Sequence, residues 1–158
     1  PDVDAPLETG TEIKMHLPAL IPDDYLPNIS TRLVLYKRIA QATTKDELND
    51  IQIEMIDRFG LLPDATKQLF AQGEIRLRAQ KLGISEVDVS VSGGSVKFEP
   101  TTPVPVTALI GLLQSNPKEF KLAGSDKLRF VRELESGQAR HDYLEGLMTR
   151  WEEACAST

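Results

Sequence analysis

The sequence contains few of the side chains on which enzymes and metal proteins commonly rely. Among its 158 residues are one cysteine, Cys155, and two histidines, His16 and His141. A single thiol excludes an intrachain disulfide and a cysteine-based metal site, and it fits a reducing, cytoplasmic location. Neither histidine has a partner at metal-ligand spacing, and we expect both at the surface. Cys155 lies near Trp151 on a predicted apolar helix face, which indicates a packed thiol rather than a nucleophile.

Long apolar runs and phosphate-binding loops are also missing. No stretch approaches the roughly 18 apolar residues of a membrane-spanning helix, and no signal peptide is recognisable. The glycine pair in SGGS, residues 92–95, lacks the lysine and the following helix of a phosphate-binding loop, so we assign it to a tight hairpin turn. These observations predict a chain with no catalytic residues, no cofactor, no metal and no membrane association.

The overall composition is that of an ordinary globular domain, with 41% apolar and 27% charged residues. The net charge of −6 argues against the basic face of a nucleic-acid-binding module and leaves room for a basic protein partner. The length suggests one domain, which we place at 12–156 and expect to be monomeric. The acidic stretch PDVDAPLETG predicts a flexible lead-in over 1–11, and we expect the chain to be a piece of a longer protein.

Apolar periodicity predicts ten secondary-structure elements in the order β-ααα-ββ-α-ββ-α. They are a strand over 11–17, helices over 30–41, 44–59 and 63–82, a hairpin over 86–100, a helix over 106–114, a hairpin over 119–134 and a helix over 136–154. Strands and helices come in separate groups. The sequence therefore predicts an α+β fold, in which helices pack on a mostly antiparallel sheet of about five strands.

Local signals mark the ends of several elements. Ser30 is a suitable cap for the first helix. Thr44 and Glu47 have the spacing of a capping box at the start of the second helix, and Gly60 ends it. In the second hairpin, alternation predicts that one pair of apolar residues faces another, namely Phe120 and Leu122 opposite Leu128 and Phe130.

The second helix carries an acidic stripe along one side. At about 100° per residue, its acids occupy one arc and four of its apolar residues occupy the opposite arc, which is expected to face the core. The stripe consists of Asp46, Glu47, Asp50, Glu54 and Asp57, and the core arc of Leu48, Ile51, Met55 and Phe59. A solvated helix face is the ordinary explanation of such a pattern.

Two acids of the stripe lack a local explanation. Glu54 and Asp57 lie in the last turn, where the helix end is itself negative, whereas the acids at the helix start are favourably placed. Arg58 follows Glu54 at i+4 and can offset one of the two charges. The unexplained acids and an apolar neighbour outside the core arc suggest a docking patch for a basic, partly apolar partner. This predicted patch consists of Asp50, Ile53, Glu54 and Asp57.

Basic residues cluster loosely in two places, and we interpret them as solvated faces. They are Arg76, Arg78 and Lys81 on the third helix, then Lys118, Lys121, Lys127, Arg129 and Arg132. No aromatic side chains interleave with them as they would in a base-stacking platform. An accessory nucleic-acid-binding module that uses the later basic residues is the alternative hypothesis for the function.

Several separated stretches resemble the C-terminal domain of the bacterial transcription-repair coupling factors, the Mfd family. The resemblance is carried by IPDDY at 21–25, RLVLYKRI at 32–39, DRFGLLP at 57–63 and AQKLGI at 79–84. It continues through IGLLQ at 110–114 and KLRFVREL at 127–134, and it covers about 12–153. The resemblance implies that the parent protein is an ATP-dependent DNA translocase of nucleotide-excision repair, which binds RNA polymerase, DNA and UvrA.

The resemblance also implies a role for this domain. It would act as an autoinhibitory clamp that packs on the UvrB-like module of the same chain and masks the surface that UvrA binds. Engagement of stalled RNA polymerase would release it. The family's acidic contacts fall by position on Glu54 and Asp57. The fragment contains none of the ATPase motifs, so ATP and catalysis would belong to the rest of the parent protein.

Overall fold

The computed structural model describes residues 10–157, which fall into two compact units. The helical unit, Leu17–Leu77, contains two helices and most of a third. The sheet unit contains residues 10–16 and 78–157, with all five strands and two further helices. Most of the expected lead-in, residues 1–9, lies outside the described residues, whereas Thr11 is buried and donates from Oγ1 to the Ile84 carbonyl at 2.6 Å. The single domain over 12–156 stays a prediction.

The helices of the helical unit are α1 (Ile29–Gln41), α2 (Lys45–Phe59) and α3 (Asp64–Lys81), of which α3 ends in the sheet unit. The predicted cap of α1 at Ser30 is wrong. Asn28 caps the helix instead, because its Oδ1 accepts from the Thr31 amide at 2.9 Å. The unit has a core of buried apolar side chains that includes Ile21, Leu26, Leu35, Ile39, Leu48, Ile51, Met55 and Phe70.

Both ends of α2 follow the sequence signals. Thr44 Oγ1 accepts from the Glu47 amide at 3.1 Å, and the Glu47 carboxylate accepts from the Thr43 amide at 2.8 Å. The capping box is therefore confirmed, with its return bond displaced by one residue. Gly60 ends the helix at a φ of 97°, a conformation that favours glycine. The Tyr25 hydroxyl donates to the Gly60 carbonyl at 2.8 Å and so anchors this end of α2.

The sheet unit is built on a five-stranded mixed sheet with the strand order β1-β2-β3-β5-β4. Strand β1 is parallel to β2, and the other three pairings are antiparallel. The strands are β1 (Glu12–Lys14), β2 (Ile84–Ser90), β3 (Gly93–Phe98), β4 (Phe120–Ala123) and β5 (Lys127–Val131), and the remaining helices are α4 (Val106–Ser115) and α5 (Gly137–Ala156). The predicted α+β class, element order and mostly antiparallel sheet are confirmed.

The two hairpins differ in how well the sequence predicted them. The second has the predicted register, with Phe120 opposite Phe130 and Leu122 opposite Leu128. In the first, the turn is formed by residues 91–92, and the glycine pair lies within β3 because Gly93 pairs with Ser90. Its assignment to the turn was therefore wrong.

Helix α5 covers one face of the sheet. Its buried side chains are Leu144, Leu147, Met148 and Trp151. Trp151 meets Phe98 of β3 edge to face, with ring centroids 5.2 Å apart. Two residues in the first turns of α5, Arg140 and His141, are also buried, so His141, which we expected at the surface, is only 7% exposed. His16 is exposed as expected, and its Nε2 lies 2.8 Å from Asp88 Oδ1.

Candidate functional site

The four residues of the predicted docking patch lie in one row along the outer side of α2. Their spacing of three and four residues makes them neighbours on a helix. Asp50, Ile53 and Asp57 are exposed, and the Glu54 side chain is 36% exposed. The fold therefore brings together the residues that the sequence selected, on the side of α2 away from the core.

Glu54 is held by two arginines of its own unit. Its Oε1 and Oε2 accept from Arg38 Nη2 and Nη1 at 3.0 and 2.9 Å, and Oε2 also accepts from Arg58 Nη1 at 2.9 Å. The pair with Arg38 is bidentate and ties α2 to α1. The sequence revealed the Arg58 contact through its i+4 spacing, but it gave no sign of Arg38, which lies 16 positions away. The unfavourable place of Glu54 at the helix end thus has an explanation inside the fold.

Acidification is expected to weaken the bridge between α1 and α2. Hydrogen bonds from Arg38 and Arg58 hold the pKa of Glu54 below its ordinary value of 4.5. A carboxyl group with a lowered pKa contributes stability above that ordinary value, and the contribution is lost as the pH falls through the folded-state pKa. Lowering the pH from about 6 to about 3 should therefore decrease the free energy of unfolding more in the wild type than in Glu54→Gln. Urea unfolding at several pH values measures this difference, and equal decreases would contradict it.

The aspartates on either side of Glu54 are exposed to solvent, where a partner could contact them. Among the described residues, neither Asp50 nor Asp57 makes an ion pair. Two exposed apolar side chains lie near these carboxylates: Ile53 is 59% exposed and Ile56 is 39% exposed. Exposed charges with exposed apolar groups beside them are suited to contact with another protein surface. We call Asp50, Ile53, Glu54, Ile56 and Asp57 the α2 surface.

Helix α1 adds exposed apolar residues that the sequence reasoning did not select. Ile29, Leu33 and Val34 are 65%, 43% and 57% exposed. Leu35 and Ile39 occupy the buried side of this helix. The available signal was that Leu33 and Val34 do not share the i, i+4 spacing of this buried pair. A shallow depression in this region is lined by Ser30, Thr31, Val34, Leu35, Arg38 and Arg58.

Two arginines of the first basic cluster serve the fold. Arg76 Nη2 donates to the carbonyls of Ile39 and Ala42 at 3.2 and 3.4 Å, and burial lowers its pKa. Arg78 donates to both carboxylate oxygens of Glu152 at 2.8 and 3.0 Å. The interpretation of both side chains as part of a solvated face is therefore wrong. They bind carbonyls and a carboxylate within their own units.

Over residues 10–157 the histidine, cysteine, aspartate and glutamate side chains form no group of three that could hold a metal ion. The same range contains no helix that is long and apolar enough to cross a membrane. The mixed acidic and apolar surface on α2 is a feature of the described chain that suggests a function.

Comparison with known proteins gives the class of protein first. A family model, the TRCF domain, matches residues 15–109, more than half of the chain. The fold is that of the crystal structure of a C-terminal domain of transcription-repair coupling factor, with a TM-score of 0.74 and 23% sequence identity over 94% of this chain and 92% of that one.

Full-length relatives identify the family. The chain is 41% identical over 143 residues to the transcription-repair-coupling factor of Escherichia coli, and 36% identical over 148 residues to that of Haemophilus influenzae. These alignments cover 90% and 94% of this chain but only 12% and 13% of the relatives. The chain belongs to the transcription-repair coupling factor family, and it spans about an eighth of the length of these relatives.

Proposed function

We propose that this chain is an autoinhibitory interaction domain of a transcription-repair coupling factor. It packs on the UvrB-like module of the same protein and masks the surface that UvrA binds until stalled RNA polymerase is engaged. The observation that carries this proposal is the α2 surface, where two carboxylates without ion pairs among the described residues flank Ile53, which is 59% exposed. A basic, partly apolar surface on another module is complementary to it.

The residues of the α2 surface have different roles in this contact. Asp57 is the principal charge partner, because it is exposed and no described residue neutralises it. Asp50 extends the negative potential by two turns, and Ile53 supplies the apolar contact. Glu54 has two roles. It ties α2 to α1 through Arg38, and its side chain is exposed enough to contact a basic group of the partner module as well.

The catalytic activities belong to other parts of the parent protein in this proposal. Family membership supports a parent that is an ATP-dependent DNA translocase, binds RNA polymerase, DNA and UvrA, and acts in nucleotide-excision repair. ATP is then the cofactor of the parent. This chain contributes a regulatory contact in the cytoplasm as a monomeric, non-catalytic domain.

Charge reversal at Asp57 is expected to weaken binding of this chain to the UvrB-like module by at least about tenfold, since close charge pairs across interfaces are strongly coupled. Isothermal titration calorimetry with the separate module measures the dissociation constant for the wild type and for Asp57→Arg. The wild-type affinity should also fall with added salt, because exposed charge pairs are screened. An unchanged dissociation constant would show that the α2 surface does not form the contact with the module.

The matched control is Glu133→Arg. Glu133 is exposed, lies in the sheet unit and makes no ion pair among the described residues. The variant therefore makes the same change in net charge at a site outside the α2 surface. It should bind the module within about twofold of the wild type. Equal losses in the two variants would mean that net charge alone governs binding.

A further inference from the structure

The two faces of the sheet differ in what covers them. Successive strand residues point to opposite faces, so the residues that alternate with the core positions share the outer face. Phe98 and Phe130 lie on the inner face, where they contact Trp151 and Tyr143 of α5. On β3, β4 and β5 the outer face carries four basic side chains, which we call the basic face: Lys97, Lys121, Lys127 and Arg129.

The register of the strands brings these like charges together. On the β5 side Lys97 pairs directly with Lys127, and Lys121 pairs directly with Arg129, whereas on the β2 side Lys97 pairs with Glu86. Like charges opposite each other destabilise a sheet. None of the four side chains makes an ion pair or a hydrogen bond within residues 10–157. Glu86 offsets part of the repulsion at Lys97, whereas the register gives Lys121, Lys127 and Arg129 no acidic partner.

At the opposite edge of the same sheet, on β1 and β2, the basic side chains are paired with acidic ones. Lys14 on β1 lies 3.4 Å from both Glu12 and Glu86, and His16 lies 2.8 Å from Asp88. The positive potential is therefore confined to three neighbouring strands, about 10 Å across. An anionic ligand would bind at this end of the outer face.

The surroundings of the basic face favour a polypeptide over a nucleic acid. Val131 continues the alternation of Lys127 and Arg129 on β5 and is 68% exposed, so an apolar group adjoins the cations. The strand residues of the outer face include no aromatic side chain on which a base could stack. A patch this narrow, bordered by Glu86 and Asp88 on β2, also limits the number of phosphates that it could contact.

We propose that the basic face binds an acidic polypeptide segment that carries an apolar side chain beside its carboxylates. The carboxylates pair with Lys97, Lys121, Lys127 and Arg129, and the apolar side chain contacts Val131. This site is distinct from the α2 surface and fits a partner of the opposite charge. The chain would then bind one basic and one acidic protein surface.

Replacement of Lys127 by glutamate separates binding from stability. It should weaken binding by at least about fivefold, because it removes one cation and repels the ligand. It should also raise the midpoint of thermal unfolding by about 1–2 °C, because the Lys97 pair becomes attractive. Fluorescence anisotropy at low ionic strength measures binding, with a labelled peptide of two EELEE repeats as the probe. Lys67→Glu, an exposed change of equal charge in the helical unit, should bind the peptide like the wild type.

Three results would overturn the proposal. The first is no binding of the peptide by the wild type, and the second is equal binding by Lys127→Glu and the wild type. The third is tighter binding of a DNA duplex of about 20 base pairs than of the peptide, which would assign the basic face to nucleic acid. None of these results bears on the α2 surface, so the proposed clamp contact is tested separately.

Discussion

Replacing Arg140 with methionine is expected to lower the free energy of unfolding by about 2–4 kcal/mol. Arg140 is 7% exposed, and its Nε donates to the Leu134 carbonyl at 2.9 Å. Its Nη1 donates to the carbonyls of Met15 and His16 at 3.0 and 3.4 Å. Methionine fills similar space but donates nothing, so these carbonyl groups lose a charged donor in a region with little water.

The position of Arg140 in the fold adds to this effect. His16 follows β1 with a φ of 55°, an uncommon conformation for a residue other than glycine. The bonds from Arg140 hold this turn and link the start of the sheet unit to α5. Denaturant unfolding monitored by far-ultraviolet circular dichroism measures the loss. Arg150→Met, on the exposed side of the same helix, should stay within about 0.5 kcal/mol of the wild type. Equal stability of Arg140→Met and the wild type would contradict the anchoring role.

Replacing Gly94 with alanine is expected to lower the free energy of unfolding by about 1–3 kcal/mol. A Cβ atom on Gly94 would clash with the Asp88 carbonyl oxygen of the neighbouring strand. Strand β3 lies between β2 and β5, and Gly94 pairs with Val89 on one side and with Phe130 on the other. The strand therefore cannot move away from one neighbour without disturbing the other.

The matched control is the same substitution on α5. A Cβ atom on Gly146 would meet no atom within 4 Å. Alanine there should raise the free energy of unfolding by about 0.5–1 kcal/mol, since glycine inside a helix is unfavourable. Thermal unfolding of both variants measures the two changes, which should have opposite signs. A destabilising Gly146→Ala or a neutral Gly94→Ala would contradict the packing seen in the sheet unit.

The sequence predicted the parts of the fold that are encoded locally. The capping box at Thr44, the glycine end at Gly60 and the facing apolar pairs of the second hairpin depend on residues close in the chain. The wrong predictions concern features that are determined by contacts between segments distant in the sequence. Gly93 and Gly94 are required by the approach of neighbouring strands, and the parallel pairing of β1 with β2 joins segments about 70 residues apart.

The candidate site shows the same division. The row of Asp50, Ile53, Glu54 and Asp57 follows from helical periodicity and was found from the sequence. The ion pair between Glu54 and Arg38 depends on how α1 packs against α2, which periodicity does not encode. This ion pair changes the relative importance of Glu54 and Asp57 for the proposed docking contact. Among residues 10–157, Glu54 has a structural partner in Arg38, whereas Asp57 makes no ion pair.

In the proposed clamp, the α2 surface keeps the UvrA-binding surface of the parent protein masked. The most direct test is the affinity of UvrA for the full-length parent protein with and without Asp57→Arg, measured by surface plasmon resonance. The variant should bind UvrA about as tightly as a parent protein from which this chain has been deleted, and at least about tenfold more tightly than the wild type. If the deletion exposed the UvrA site but Asp57→Arg bound UvrA as weakly as the wild type, the claim for the α2 surface would be contradicted.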